Sequence, residues 1–507
     1  MRYLVLLTLF SLSLNAQRFS KTDLSFGGAS RPALLFVNSD IVIADEDQDS
    51  LGLLQIGLFD SLGTKIFHKS YDYYKSPDSV LRVTPCFKCL KANGGSYFLA
   101  QTDFIVADSG FVRFTKFNYN LDTLFTQKHL EFQNGQPVIR DMKFDTDSTF
   151  VVSGLLFRLT NYNKYDLWVA KFDTAFNPIW ELRIPDTIPG MNGGYFGNDL
   201  VIDQYGSCLV TGRANHYVPT QSNSDHSFAA RIDLQTGALR WFYSFNQDLG
   251  SQNIAALDNG DGTYSFARME ILGFWPNTIN YAYPTRMRFG RIDTLGNVVY
   301  DTAIGPELPY FRFEDLIRTS DGNFYVAGDI QVLPGNFPIS AYKFTPQGDS
   351  IWMRSYYHLN DSADRNHIWA FQEAPDSGFL HLGRLIDVDN DIDSVRTLHF
   401  YMLKTDSYGC LQEGCQSIGI EESHFKPAGL NAYPNPSNDV LNLESKLLDE
   451  VYYELYNSVG QLMHSGQFQQ KVRIDLSGIA PGVYMLKSRA KGVALGSQKI
   501  IIGSGVQ

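Results

Sequence analysis

Residues 315–329 read DLIRTSDGNFYVAGD and residues 339–357 read ISAYKFTPQGDSIWMRSYY, two runs that each fold back on a turn and together make one unit of a repeat. In both, apolar residues flank a cluster of turn formers, so each predicts a β-hairpin. The second hairpin recurs as residues 53–71, LLQIGLFDSLGTKIFHKSY; 111–127, FVRFTKFNYNLDTLFTQ; 166–182, DLWVAKFDTAFNPIWEL; 227–245, SFAARIDLQTGALRWFYSF; 286–302, RMRFGRIDTLGNVVYDT; and 398–412, LHFYMLKTDSYGCLQ. Its turns begin at Asp60, Asn118, Asp173, Asp233, Asp293, Thr345 and Asp406, a period of 52 to 61 residues. An Asp or Asn there bonds its own downstream amides, and a following Gly accepts positive φ. The first hairpin recurs as DMKFDTDSTFVVSGL from Asp141 and DLVIDQYGSCLVTGR from Asp199, with equivalents near Leu35, Leu81, Ile254 and Ile368.

Four antiparallel strands per unit and seven units at this period predict an all-β, seven-bladed β-propeller over residues 17–416. A β-solenoid is the other repeat architecture to weigh, but its repeats are usually much shorter. The last unit stops after LHFYMLKTD without the aromatic outer strand of the others, whereas RFSKTDLSF from Arg18 precedes the first unit. The surplus strand is expected to pair into the last blade, which would remove a free sheet edge.

Both ends point to export. Arg2, the apolar run from Leu4 to Leu14 and the small Ala16 predict a signal peptide over residues 1–16. After a linker at residues 417–430 the chain reads NAYPNPSNDVLNLE, then YYELYNSVGQLMHSGQF, then VRIDLSGIAPGVYMLKSRA. Alternating residues over Val451 to Tyr456 and Val483 to Leu486, with Gly460, Gly466 and APG as breaks, predict a small antiparallel β-sandwich. The two prolines fix their own φ and push the residues before them toward extended backbone.

This tail, residues 431–507, resembles the type A C-terminal sorting domain of the type IX secretion system, through Tyr433, Pro434, Asn435 and Pro436, Leu455, Tyr456 and Gly460, and Ile474, Asp475, Leu476, Gly482, Tyr484 and Lys487. The resemblance implies the type IX machinery of Bacteroidota as a partner, and a destination in the medium or on the outer face of the outer membrane. It implies nothing about what the body does there.

The composition, 44% hydrophobic and 14% aromatic with 28 Tyr, 36 Phe and 42 Gly, suits a folded, strand-rich protein. A formal net charge of -12 argues against nucleic acid and anionic lipid as partners. No run approaches the roughly 18 continuous apolar residues of a membrane helix.

Among the five cysteines, export favours disulfides Cys86 to Cys89 and Cys410 to Cys415, with Cys208 a buried free thiol. The first pair requires TPCFKC to turn, because an extended Cys-x-x-Cys exceeds the roughly 7 Å between Cα atoms that a disulfide tolerates. A zinc site joining both pairs and redox chemistry at Cys86 and Cys89 are weaker readings. Asp387, Asp389, Asp391 and Asp393 alternate in DVDNDIDS and make calcium possible, but Ile392 and Leu398 stand where a helix-loop-helix calcium loop needs Gly and Glu, which favours a solvated loop. No other cofactor is indicated.

Asp141, Asp199 and Asp315 hold equivalent places at the start of inner strands, so they are expected to approach the central channel together, either to bind a cation or a polar sugar or to brace the blades through neighbouring amides. Trp180, Trp241 and Trp352 share one place in the repeat and read as core between blades, rather than as the sugar-stacking surface that they, Trp168 and Trp369 invite. No Gly-x-Ser-x-Gly, His-Glu-x-x-His or phosphate-binding loop occurs, and Asp225-His226, in a polar loop, is the closest acid and imidazole pair. The residues favour a secreted binding or adhesion module for glycans or proteins. The alternatives are an extracellular polysaccharide-degrading propeller using carboxylates at the channel mouth, and a purely structural surface-layer component.

Overall fold

The computed structural model describes residues 19–23, 33–37, 40–46, 54–60, 64–71, 85–105, 109–133, 135–158, 165–185, 192–218, 221–245, 251–272, 284–309, 311–313, 315–330, 338–356, 365–387, 397–411, 430–445, 450–457, 461–490 and 493–503. Every regular element among them is a β-strand. The repeat units are sets of four antiparallel strands in chain order, as the alternation and turn chemistry require. The first set is Ala33–Val37, Asp40–Glu46, Leu54–Phe59 and Lys65–Tyr71. The second, from Pro85–Asn93, the third, from Gly135–Phe144, and the fourth, from Asn192–Ile202, are joined by single parallel contacts, Gly135 with Ser109 and Tyr165 with Gly194. The fifth runs from Ser251–Asp258 to Val298–Pro309. In the sixth, the first strand is broken into Phe311–Phe313 and Ile317–Arg318, followed by Phe324–Ile330, Ile339–Phe344 and Ser350–Tyr356.

The last set brings the two ends of the body together. Arg365–Glu373, Phe379–Asp387 and Thr397–Lys404 follow one another, and the fourth strand is Phe19–Asp23, antiparallel to the third with Phe19 opposite Lys404 and Asp23 opposite Phe400. Ile41, Ile43 and Phe59 of the first unit also pack with Leu380, Leu382 and Met402 of the last. Neighbouring units share such cores throughout: Val151, Leu167 and Val169 of the third lie against Leu200, Val210 and Phe228 of the fourth.

The tryptophans do what their place in the repeat predicts. Trp180 Nε1 donates to the Leu234 carbonyl of the following unit at 2.9 Å, and Trp241 Nε1 does the same to Thr294. Their rings cover glycines at the next unit's turn. A Cβ on Gly237, φ +72°, would meet Trp180 at 2.8 Å, and one on Gly409, φ +71°, would meet Trp352 at 2.7 Å. Inside several units a basic residue just before that turn reaches back to an aspartate of the first hairpin: Lys171 to Asp145 at 2.6 Å, Arg231 to Asp203 at 2.9 Å and Lys404 to Asp376 at 2.7 Å. Trp168 is buried in core rather than presented to a ligand.

Between the sixth and last units His381 is fully buried. Its Nδ1–H donates to the Leu403 carbonyl at 3.2 Å, so Nε2 accepts from the Tyr325 hydroxyl, and the ring is neutral. Burial pushes the imidazole down to about 4 from its ordinary 6.5. A folded-state value below the unfolded one means that the unfolded chain takes the proton first. Stability is therefore expected to fall as pH drops from about 6.5 to about 4, by about 3 kcal/mol in all. Denaturant unfolding across that range should show a slope that His381→Asn lacks, and parallel curves would remove His381 as its source.

Several sequence readings are corrected. Asp141 and Asp199 stand late in first strands that begin well upstream of them, and Asp315 lies in the break between Phe311–Phe313 and Ile317–Arg318. The Leu81 region lies outside the described residues, and the first described strand of the second unit is Pro85–Asn93. Cys86 and Cys89 both lie on Pro85–Asn93, where the register shifts between Pro85 and Lys88, so the expected turn there is a strand irregularity. Asp225 and His226 lie in strand Gln221–Asp233, not in a loop. Cys208 is buried and free as expected. Cys410 is buried, while Cys415, the signal peptide at residues 1–16, Gly460, and Asp389, Asp391 and Asp393 lie outside the described residues. Asp387 ends strand Phe379–Asp387. No group of three or more metal-ligating side chains occurs among the described residues.

The C-terminal region forms two small antiparallel sheets around one apolar cluster that includes Leu441, Leu443, Leu455, Leu476, Tyr484 and Ile500. Asn435 ties the Tyr-Pro-Asn-Pro entrance to the last strand, accepting from Ile501 N at 2.9 Å and donating to the Lys499 carbonyl at 2.7 Å. Tyr433 donates to Glu444 at 2.8 Å, Asp475 accepts from Ser477 N at 2.9 Å, and the Tyr484 hydroxyl donates to the Ala480 carbonyl. Pro434 and Pro436 both follow cis peptide bonds. The Gly482 position lies beside the Tyr484 ring.

Candidate functional site

The first strand of each of several units carries an irregularity at one place. Register shifts between Ile139 and Asp141, between Gly197 and Asp199, and between Ile368 and Ala370, and the sixth unit's strand breaks before Asp315. The glycine of the SGL, AGD and LGR tripeptides in the second strand makes room for it. A Cβ on Gly154, Gly328 or Gly383 would lie 2.1, 1.8 or 1.7 Å from the carbonyl oxygen of Val138, Arg312 or His367. Only glycine fits there, and a bulge of this kind re-aims the side chains beside it.

Just past these bulges stand the three predicted aspartates, and the structure brings their charges together. Asp141 accepts from Met142 N at 2.7 Å and, with its other oxygen, from Leu200 N of the next unit at 3.2 Å. Asp199 repeats the device, with Leu200 N at 2.8 Å and Ala256 N of its next unit at 3.0 Å, and Asp315 accepts from Leu316 N at 2.7 Å. The bracing role is thus present at Asp141 and Asp199. Lys143 joins them, 3.4 Å from Asp141. The charge of Asp141 foremost, with Asp199 and Asp315, raises the Lys143 ammonium above its ordinary value despite burial. Burial first, and then neighbouring carboxylates, hold Asp199 and Asp315 above the usual carboxylate range. A carboxyl held above the usual range by burial keeps its proton closer to neutral pH than an exposed one does.

One outward step along the same strands lies a constellation that sequence reasoning missed. The buried Asp329 carboxylate accepts from the Ile368 amide at 2.9 Å through Oδ1, while its Oδ2 lies 2.8 Å from His367 Nδ1 and 3.2 Å from Arg312. His367 and Arg312 each stand one residue before the bulge or break of adjacent units, where the third unit has Val138. The Trp369 ring is stacked near His367, with centroids 6.4 Å apart and planes 8° from parallel. The members are 17 and 38 residues apart in sequence, so no local motif announces them. The available signal was a break in the repeat, Asp329 standing after the glycine where other units have Leu155 or Arg213.

Residues 431–503 match the family described as Secretion system C-terminal sorting domain, so this region is such a domain. It marks the protein as secreted or attached to the cell surface, and implies interaction with the type IX secretion machinery. No curated protein matches the chain. Among solved structures, the body is similar to an ulvan lyase, a polysaccharide lyase bound to a GlcA(1-4)Rha3S ligand, with 10% identity, 76% of this chain and 96% of that chain covered, and a TM-score of 0.51. An α-L-arabinanase from Penicillium chrysogenum complexed with arabinobiose aligns at 11% identity over 61% of this chain and 93% of that chain, with a TM-score of 0.40. At such identity the likeness to the lyase is one of fold, and the body is a propeller-like all-β structure. Among the described residues no helix is long and apolar enough to cross a membrane.

Proposed function

We propose that the body is an exported propeller acting on extracellular polysaccharide, with the cluster of Asp141, Lys143, Asp199 and Asp315 at its centre. The observation that carries this reading is the convergence of three carboxylates from the third, fourth and sixth units on one ammonium, with Asp199 and Asp315 held above the usual carboxylate range. A carboxyl that keeps its proton near neutral pH suits donation to a glycosidic oxygen, and an ionised neighbour suits proton removal. The similar ulvan lyase and arabinanase both have carbohydrate ligands bound. In this proposal seven four-stranded units close one ring, the two C-terminal sheets pack as a sandwich, and Cys86 with Cys89 and Cys410 with Cys415 form disulfides.

One observation favours a binding module instead. Asp141 and Asp199 spend oxygens on amides of the next unit, as a purely bracing residue would. Incubating the secreted protein with uronate-bearing, sulfated and neutral polysaccharides, while following reducing ends and unsaturated products, separates the two. Turnover that Asp199→Asn lowers by roughly 10²–10⁴-fold in kcat, at a preserved unfolding midpoint, is the expected result. Retention of a glycan without turnover would leave the binding module.

A further inference from the structure

We infer that Arg312, His367 and Asp329 form a subsite for an acidic group of the glycan, a carboxylate or sulfate ester; this rests on the polysaccharide reading and narrows it to anionic substrates. Three observations carry it. First, the set breaks the repeat. Bracing between units is done elsewhere by Asp141 and Asp199 on backbone amides, and the Asp329 bond to Ile368 N already supplies it here. Neither Arg312 nor His367 is needed for that brace.

Second, the geometry is that of a prepared cationic surface. Asp329, 4% exposed, holds both neighbours in place, while the Arg312 and His367 side chains keep 30% and 19% of their surface in solvent. Arg384 stands directly opposite His367 in the strand register, at the place that Asp329 fills in the sixth unit. The partly exposed Arg312 guanidinium makes this a cationic position on a chain of net charge -12. Guanidinium forks pair with carboxylate and sulfate oxygens with a geometry that an ammonium lacks. Asp329 is a positioning residue, and Arg312 and His367 are the groups that would meet the oxyanion.

Third, the depth fits. Arg312 and Asp315 lie on one interrupted strand three residues apart, roughly 7–10 Å along its direction. An acidic group held at Arg312 therefore leaves the adjoining glycosidic bond within reach of the carboxylate and Lys143 cluster.

The test uses the full secreted chain with three probes: polygalacturonate, a sulfated galactan and a neutral arabinan. The wild type should bind one of the acidic probes in preference to arabinan, with affinity falling as salt rises. Arg312→Ala should weaken that binding at least tenfold and Arg312→Lys should restore part of it. His367→Gln should weaken it less, and unfolding midpoints should be unchanged. Uronate against sulfate is decided by which acidic probe is retained. Equal binding of the acidic probe by wild type and Arg312→Ala, or a preference for arabinan, overturns the subsite while leaving the polysaccharide reading intact. If none of the probes is bound or cleaved by the wild type, the broader reading fails and takes this inference with it.

Discussion

Removing residues 18–26 is expected to lower the unfolding free energy of the body by on the order of 5 kcal/mol, the scale on which losing an element rather than a contact acts. Strand Phe19–Asp23 is the fourth strand of the last sheet, in continuous register from Phe19 opposite Lys404 to Asp23 opposite Phe400. Without it the strand Thr397–Lys404 becomes an unpaired edge, with its backbone donors and acceptors facing solvent or another molecule. The loss is also topological, because this pairing is the backbone link between the first and last units, beside the side-chain contact of Ile41, Ile43 and Phe59 with Leu380, Leu382 and Met402. Thermal unfolding and size-exclusion of the shortened chain measure it. A clear drop in midpoint together with self-association is the expected result, and an unchanged midpoint in a monomer would mean that the side-chain contact alone holds the ends.

Gly409→Ala and Gly237→Ala are expected to cost about 2–4 kcal/mol each, the sum of a left-handed backbone that Ala resists and an overpacked ring contact. Both glycines have positive φ, and an added Cβ would fall 2.7 Å from Trp352 and 2.8 Å from Trp180. Gly206 and Gly322 supply the control. They too have positive φ, +75° and +82°, but nothing lies within 4 Å of an added Cβ. Their Ala variants should cost only the backbone part, about 1–2 kcal/mol. Denaturant unfolding of the four variants checks the comparison, and equal losses at all four would show that the tryptophan contacts contribute nothing. Paired substitution of Trp180→Leu with Gly237→Ala should recover part of the loss, since the two residues share one contact.

The four-stranded antiparallel sheets, the hairpins and the role of the tryptophans were legible in the residues because each depends on local pattern: alternation, turn chemistry, and an aromatic recurring at one place. The pairing of the first strand into the last unit was legible for a related reason, since a unit short of a strand and a strand without a unit are both visible along the chain. The export tail was readable as an ordered series of motifs, and residues 431–503 match the sorting-domain family. Register was not readable, and that is why Asp141, Asp199 and Asp315 were placed at strand starts when they follow bulges. A bulge is set by how closely two strands approach, and its only local trace is the glycine across from it. The His367, Asp329 and Arg312 constellation lay beyond sequence altogether. Its members come from two units and meet only because adjacent sheets pack side by side, with Asp329 of one bonded to the Ile368 amide of the next, so the sequence determined the unit and tertiary packing decided the site.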